Sequence, residues 1–159
     1  MTTKTALVTR ATGSQGLAVT KHLLAAGYVV HAILADPDDD RAMSYQALSP
    51  ERIKIFVGTL DDRPTLEGAM SECTALFLNL MPNFVEERGE QRLGDAILAA
   101  AKRAGVKHVV YSTMLGLDLI DEKLFASNPA AAAVVSGKIH LEKAVREYGF
   151  DAWTTLRPG

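Results

Sequence analysis

Cysteine occurs once in this chain, at Cys73, so no disulfide can close within it, and a reducing compartment suits it. Charge of one sign is also lacking: 17 Lys and Arg stand against 19 Asp and Glu, a net of −2. That balance removes the electrostatic reason to expect direct binding to nucleic acid or to an anionic membrane. No apolar run reaches the roughly 18 residues of a membrane span. Met1-Thr2-Thr3-Lys4 leads straight into an apolar strand without an apolar leader, and a cytoplasmic protein is expected. His22, His31, His108 and His140 share no metal-ligand spacing, so no zinc or iron site is expected.

What is present is regular alternation. The 159 residues, 48% apolar and 23% charged, suit one domain with one core over 1–159. Strand-like runs rich in Val, Ile and Leu are predicted at Thr5–Thr9, Tyr28–Leu34, Ile53–Val57, Ala75–Leu80, Val106–Ser112 and Ala152–Leu156. Helices are predicted at Gly16–Ala26, Ala42–Leu48, Pro64–Cys73, Glu86–Ala104 and Val134–Tyr148, with Met114 to Ala133 as the longest irregular connection. Gly27, Gly105 and Gly149 each follow a helical run, where a left-handed cap is wanted, and Pro64 suits a first helical turn. Alternating βα units with right-handed crossovers imply an α/β, doubly wound, Rossmann-like parallel sheet of about six strands, order 3-2-1-4-5-6. Helices cover both faces, and the ligand crevice falls between strands 1 and 4.

The stretch that points to chemistry is Ala11-Thr12-Gly13-Ser14-Gln15-Gly16, between the first strand and the first helix. Free N–H groups at such a helix start, with Gly13 allowing close approach and Gly16 close packing, can hold a pyrophosphate. Asp36 lies about 20 residues beyond Gly16, where the ribose-binding acid of such units falls; its other reading is a turn cap beside Pro37. No Gly-Lys-Ser/Thr triplet follows the turn, which excludes a P-loop, and no acidic pair closes the first strand as a receiver domain requires. Cys73 reads as a small packed hydrophobe, and Tyr111 as core or crevice wall.

Six pieces in order complete the pattern: the Ala11–Gly16 loop, Asp36-Pro37, Gly58-Thr59-Leu60-Asp61, Val109-Val110-Tyr111-Ser112, Ser136-Gly137-Lys138 and Leu156-Arg157-Pro158. Together they resemble the NmrA-like family, an atypical branch of the short-chain dehydrogenase/reductase superfamily, over essentially the whole chain. The resemblance implies binding of NAD(P)(H). It also implies either an NAD(P)H-dependent oxidoreductase or a redox-sensing regulator that binds a protein partner without turnover. Implied cofactor-binding positions are Arg10, Thr12, Gly13, Ser14, Gln15, Gly16, Asp36, Leu60, Asp61, Leu80 and Lys138.

Departures from the family pattern are equally specific. Arg10 replaces a turn glycine, so a side chain is expected at positive φ, a strain of about 1 kcal/mol. Its guanidinium either meets a cofactor 2′-phosphate or crowds the adenosine. Ala35 stands where relatives carry the 2′-phosphate arginine, leaving Arg10 or Arg41 to substitute, whereas Asp36 favours NAD; the preference stays open. Thr59 replaces an aspartate near the adenine. In the Tyr-x-x-x-Lys slot Val134 replaces the tyrosine, so no catalytic residue is assigned and little or no turnover is expected. Lys138 either binds ribose or is a solvated lysine paired with Glu142 at i+4. Relatives continue beyond the Leu156-Arg157-Pro158 segment into a substrate-binding part. Without it, apolar surface is expected to be exposed and to favour self-association or a protein partner.

Overall fold

A computed structural model describes residues 4–83, 86, 88–119 and 128–158. Six strands, β1 (Thr5–Val8), β2 (Val29–Leu34), β3 (Ile53–Val57), β4 (Ala75–Asn79), β5 (His108–Ser112) and β6 (Ala152–Leu156), form one sheet in the order β3-β2-β1-β4-β5-β6. All pairings are parallel, with Leu7 level with His31 on one side and Leu76 on the other. The helices are α1 (Ser14–Ala25), α2 (Asp40–Gln46), α3 (Arg63–Met70), α4 (Gly89–Ala104) and α5 (Pro129–Glu147). The chain has the doubly wound topology expected from its sequence.

Two-residue alternation divides the strands between two cores. Val8, Val30, Ala32 and Phe77 face α1 and α2, where Leu24 and Tyr45 complete one cluster. Leu7, Leu76, Leu78, Val109 and Tyr111 face α3, α4 and α5 and form the larger cluster with Met70, Leu98 and Leu141. Gly94 lets α4 and α5 approach closely, because a Cβ there would lie 2.7 Å from Leu141 Cδ1. Cover is uneven. β1 is buried throughout, whereas four of the five β6 residues are exposed and Trp153 and Leu156 are 41% and 45% accessible.

Gly27, Gly105 and Gly149 take positive φ of 83°, 82° and 77° after their helices, as the cap reading requires. The Met114–Ala133 expectation needs correction at its end. α5 starts at Pro129, five residues before the predicted Val134, capped by the Asn128 side chain on the Ala131 N–H at 3.1 Å. Asn-Pro followed by Ala130–Ala133 is a cap, a first-turn proline and a run of strong helix formers. A 3₁₀ turn occupies Leu117–Leu119, and residues 120–127 of that connection lie outside the described residues.

Candidate functional site

After β1 the chain turns to one face of the sheet through α1, and after β4 it turns to the other through α4, which opens a crevice at the β1/β4 switch. Gly13 is the N-cap of α1, in extended conformation (φ −77°, ψ 166°), and contributes no capping side chain. The first helical bond runs from the Leu17 N–H to the Gly13 carbonyl at 2.8 Å. The N–H groups of Ser14, Gln15 and Gly16 are left without a partner among the described residues. Gly16 cannot be replaced cheaply: a Cβ would overlap the Arg10 carbonyl and lie 2.8 Å from Ala11 Cα. Thr12 and Gly13 are half-buried at the loop crest, and Ser14 is exposed.

Arg10 takes φ 52°, the left-handed conformation expected for a residue at a glycine's position. Its carbonyl accepts the Gly13 N–H at 2.9 Å and closes the turn. Its half-buried side chain makes no hydrogen bond or ion pair among the described residues.

Thr9, Asn79 and Ser112, which the sequence reading did not single out as site residues, hold the crevice floor together with Gln15. The Thr9 hydroxyl donates to the Asn79 carbonyl at 2.9 Å and accepts the Asn79 N–H at 2.7 Å, bridging β1 and β4 as they part. Gln15 Oε1 accepts from Ser112 Oγ at 2.6 Å and from Asn79 Nδ2 at 3.3 Å. The Gln15 side chain thus ties α1 to the ends of β4 and β5, and its N–H stays available. The signal for this was a polar residue closing each of three otherwise apolar strands.

At the end of β2, Asp36 is exposed, and its Oδ1 accepts the Asp38 N–H at 3.0 Å, the turn-capping role. Ala35 beside it is exposed, and the Arg41 side chain is 79% accessible, 4.0 Å from Asp39. Leu60 and Asp61 follow β3 and line a groove of about 240 Å³ between α3 and α4, with Arg92 and Leu93 opposite. The Thr59 hydroxyl holds the Asp61 carboxyl below the usual carboxylate range.

The far side of the crevice is built from buried charge. Lys138, on α5, is 5% accessible; its Nζ donates to the Leu80 carbonyl at 3.0 Å and lies 2.5 Å from Glu90 Oε1. The Leu80 side chain belongs to the core, and its carbonyl is the part that reaches Lys138. These contacts overturn the reading of Lys138 as a solvated lysine paired with Glu142. Glu142 instead takes Arg157 in a two-pronged pair at 2.9 and 2.8 Å, and Arg157 also reaches Asp118 at 2.6 Å. The Lys138 ammonium lies 5.8 Å from the Tyr111 ring centre. Tyr111 is wholly buried core. Burial pushes the Tyr111 phenol far above its usual range, and the Glu90 and Glu142 carboxylates add to the shift. Val134, in the slot of the missing tyrosine, lines a recess of about 10 Å³ with Pro82, Glu90 and Gly137, room for roughly one water.

Elsewhere, Cys73 is 2% accessible, donates to the Ala69 carbonyl at 3.3 Å, and has its thiol pushed up to about 12 by burial. It is a packed hydrophobe. Among the described residues no group of three His, Cys, Asp or Glu could hold a metal ion, and no helix is long and apolar enough to cross a membrane.

A glycine loop at the switch point of a six-stranded parallel sheet defines the dinucleotide-binding class of α/β protein. The NmrA-like family profile matches residues 2–159, and the chain belongs to that family. It is 32% identical over 157 residues to the NmrA-like family domain-containing oxidoreductase malD of Malbranchea aurantiaca, covering 92% of this chain and 44% of that protein. Among solved structures it resembles NmrA, a negative transcriptional regulator, in complex with NADP: TM-score 0.75, 26% identity, 98% of this chain and 45% of that one. The Escherichia coli NADPH-dependent quinone oxidoreductase QOR2, complexed with NADPH, matches with TM-score 0.72 and 25% identity over 98% of this chain and 48% of its own. The chain thus spans about half the length of the proteins it matches.

Proposed function

We propose that this chain binds a nicotinamide dinucleotide in the crevice at the β1/β4 switch and turns it over little or not at all. The observation that carries this reading is the trio of uncommitted N–H groups on Ser14, Gln15 and Gly16, above a glycine that leaves no room for a side chain. Such a helix start, at the positive end of its dipole, suits a pyrophosphate. Asp36 keeps a second carboxylate oxygen for the adenosine ribose, and Leu60 and Asp61 supply the adenine end. Arg10, with its guanidinium uncommitted, provides the charge for a 2′-phosphate that Ala35 does not, so NADP(H) is the favoured form. Lys138, beside the Leu80 carbonyl, serves the nicotinamide ribose.

A bound reduced dinucleotide supplies a hydride. A carbonyl acceptor then needs a proton, and the chain offers no acid in the expected slot: Val134 has none, and the Tyr111 phenol is sealed in the core and held protonated. That supports the second reading, a regulator that responds to the dinucleotide and docks a protein, as does the likeness to a transcriptional regulator solved with NADP. The exposed β6 edge gives such a partner, or a second copy, an apolar place to dock. A chain whose one thiol is buried and unpaired suits the cytoplasm. Steady-state NADPH oxidation against a panel of quinones and carbonyl compounds separates the readings. Binding without oxidation is expected; sustained oxidation would install an enzyme in place of the regulator.

A further inference from the structure

We infer that Glu90 is a positioning residue for the dinucleotide site: it holds the Lys138 ammonium against the Leu80 carbonyl, and through that lysine it governs affinity for the nicotinamide end alone. The inference rests on the proposed ribose role of Lys138 and extends it to a residue on a different helix.

Glu90 lies in the first turn of α4 and is 5% accessible; Lys138 is on α5 and equally enclosed. A carboxylate and an ammonium both withdrawn from water are costly to keep, and hydrophobic residues of similar volume commonly serve stability as well or better. Helix-to-helix packing does not need the pair, because Gly94 against Leu141 already brings α4 and α5 together. The local sequence also makes room for it: a Cβ at Gly137 would lie 3.0 Å from Glu90 Oε2. The ammonium has three N–H donors, and the Leu80 carbonyl accepts from one of them. Glu90 Oε1 lies 2.5 Å from Nζ, but neither Glu90 oxygen receives a hydrogen bond of regular geometry, so that contact is an ion pair and at least one N–H has no acceptor among the described residues. A lysine fixed at two points with one donor to spare is oriented for a ligand hydroxyl. Without Glu90 the flexible stem is held by one carbonyl only.

The test uses the full chain and two probes: NADPH, which reaches both ends of the crevice, and ADP, which reaches only the adenosine and pyrophosphate end. Glu90→Gln is expected to raise the NADPH dissociation constant about tenfold, the size of one charge-assisted hydrogen bond, and to leave ADP within about twofold. Lys138→Met is expected to give the same selective loss, and the double variant no more than Lys138→Met alone, because both substitutions remove one arrangement. Should Glu90→Gln fail to fold, Glu90→Asp keeps the charge and withdraws it by one methylene; a smaller loss confined to NADPH is expected. Equal weakening of both probes, or unchanged NADPH affinity in a folded variant, would overturn the assignment of Glu90. If neither probe binds the unaltered chain, the dinucleotide reading itself fails, a separate outcome.

Discussion

At the start of α1 the uncommitted groups are main-chain N–H groups of Ser14, Gln15 and Gly16, whereas across the crevice stands a side chain, the Lys138 ammonium, paired with Glu90. The first set needs only a turn and a glycine, and it begins at the exposed Ser14. The second is two charges kept out of water by α4, α5 and the end of β4, and it exists only if the whole half-domain is folded. One end of the crevice is therefore local and robust, the other long-range and costly.

The sharpest way to break the comparison is to remove one charge of the pair. Lys138→Met leaves Glu90 buried without its partner and is expected to lower unfolding stability by about 3–5 kcal/mol in urea denaturation. Adding Glu90→Leu is expected to restore most of it. A loss below about 1 kcal/mol in the single variant would mean that the pair is solvated, as surface pairs are.

At the opposite end, Gly16→Ala drives a Cβ into the Arg10 carbonyl and lifts α1 from β1. The expected cost is about 1–3 kcal/mol of stability, with more than about a tenfold loss of NADPH and ADP alike in titration calorimetry. Selective loss of NADPH from this substitution would contradict the division of labour between the two ends.

Arg10→Gly should act more gently. Relief of the left-handed backbone is worth about 1 kcal/mol, partly offset by glycine's greater freedom in the unfolded chain, so a small rise in melting temperature is expected. NADPH affinity is expected to fall about tenfold and NADH affinity to hold. If both affinities rise instead, the guanidinium was crowding the adenosine.

The smallest expected effect concerns His31, buried in the sheet with Nδ1 2.8 Å from the Ala69 carbonyl. Burial lowers its pKa from the ordinary 6.5, so on acidification the unfolded chain takes up this proton before the folded one does. Its contribution to stability is complete above the ordinary value and declines as pH falls below it. Melting temperatures between about pH 5 and 8 should show a shallow acid decline that His31→Asn flattens; an unchanged slope in the variant would assign the decline to carboxylates.

Much of the fold was legible because its signals are local. Apolar runs located every strand, three of them just after a glycine cap, and the fingerprint placed the switch. The positive φ of Arg10 followed from a side chain standing where a turn needs glycine. The start of α5 was legible too, in Asn128-Pro129 and four alanines, but the expectation of an irregular connection from Met114 to Ala133 obscured it. Lys138 was misjudged on one of its two readings because i+4 spacing brings Glu142 near along the helix, while the residue that pairs with it is 48 positions upstream on α4. The same holds for Gln15, whose partners Asn79 and Ser112 come from two other strands. Contacts set by tertiary packing leave no periodic trace in sequence.

The central claim is that the open N–H groups at the start of α1 receive a dinucleotide diphosphate. Titrating NADPH and NADH into the full chain and following nicotinamide fluorescence tests it most directly. Saturable binding with a dissociation constant below about 1 mM, tighter for NADPH and competed by ADP, is the expected result. No saturable signal from either dinucleotide up to several millimolar would contradict it.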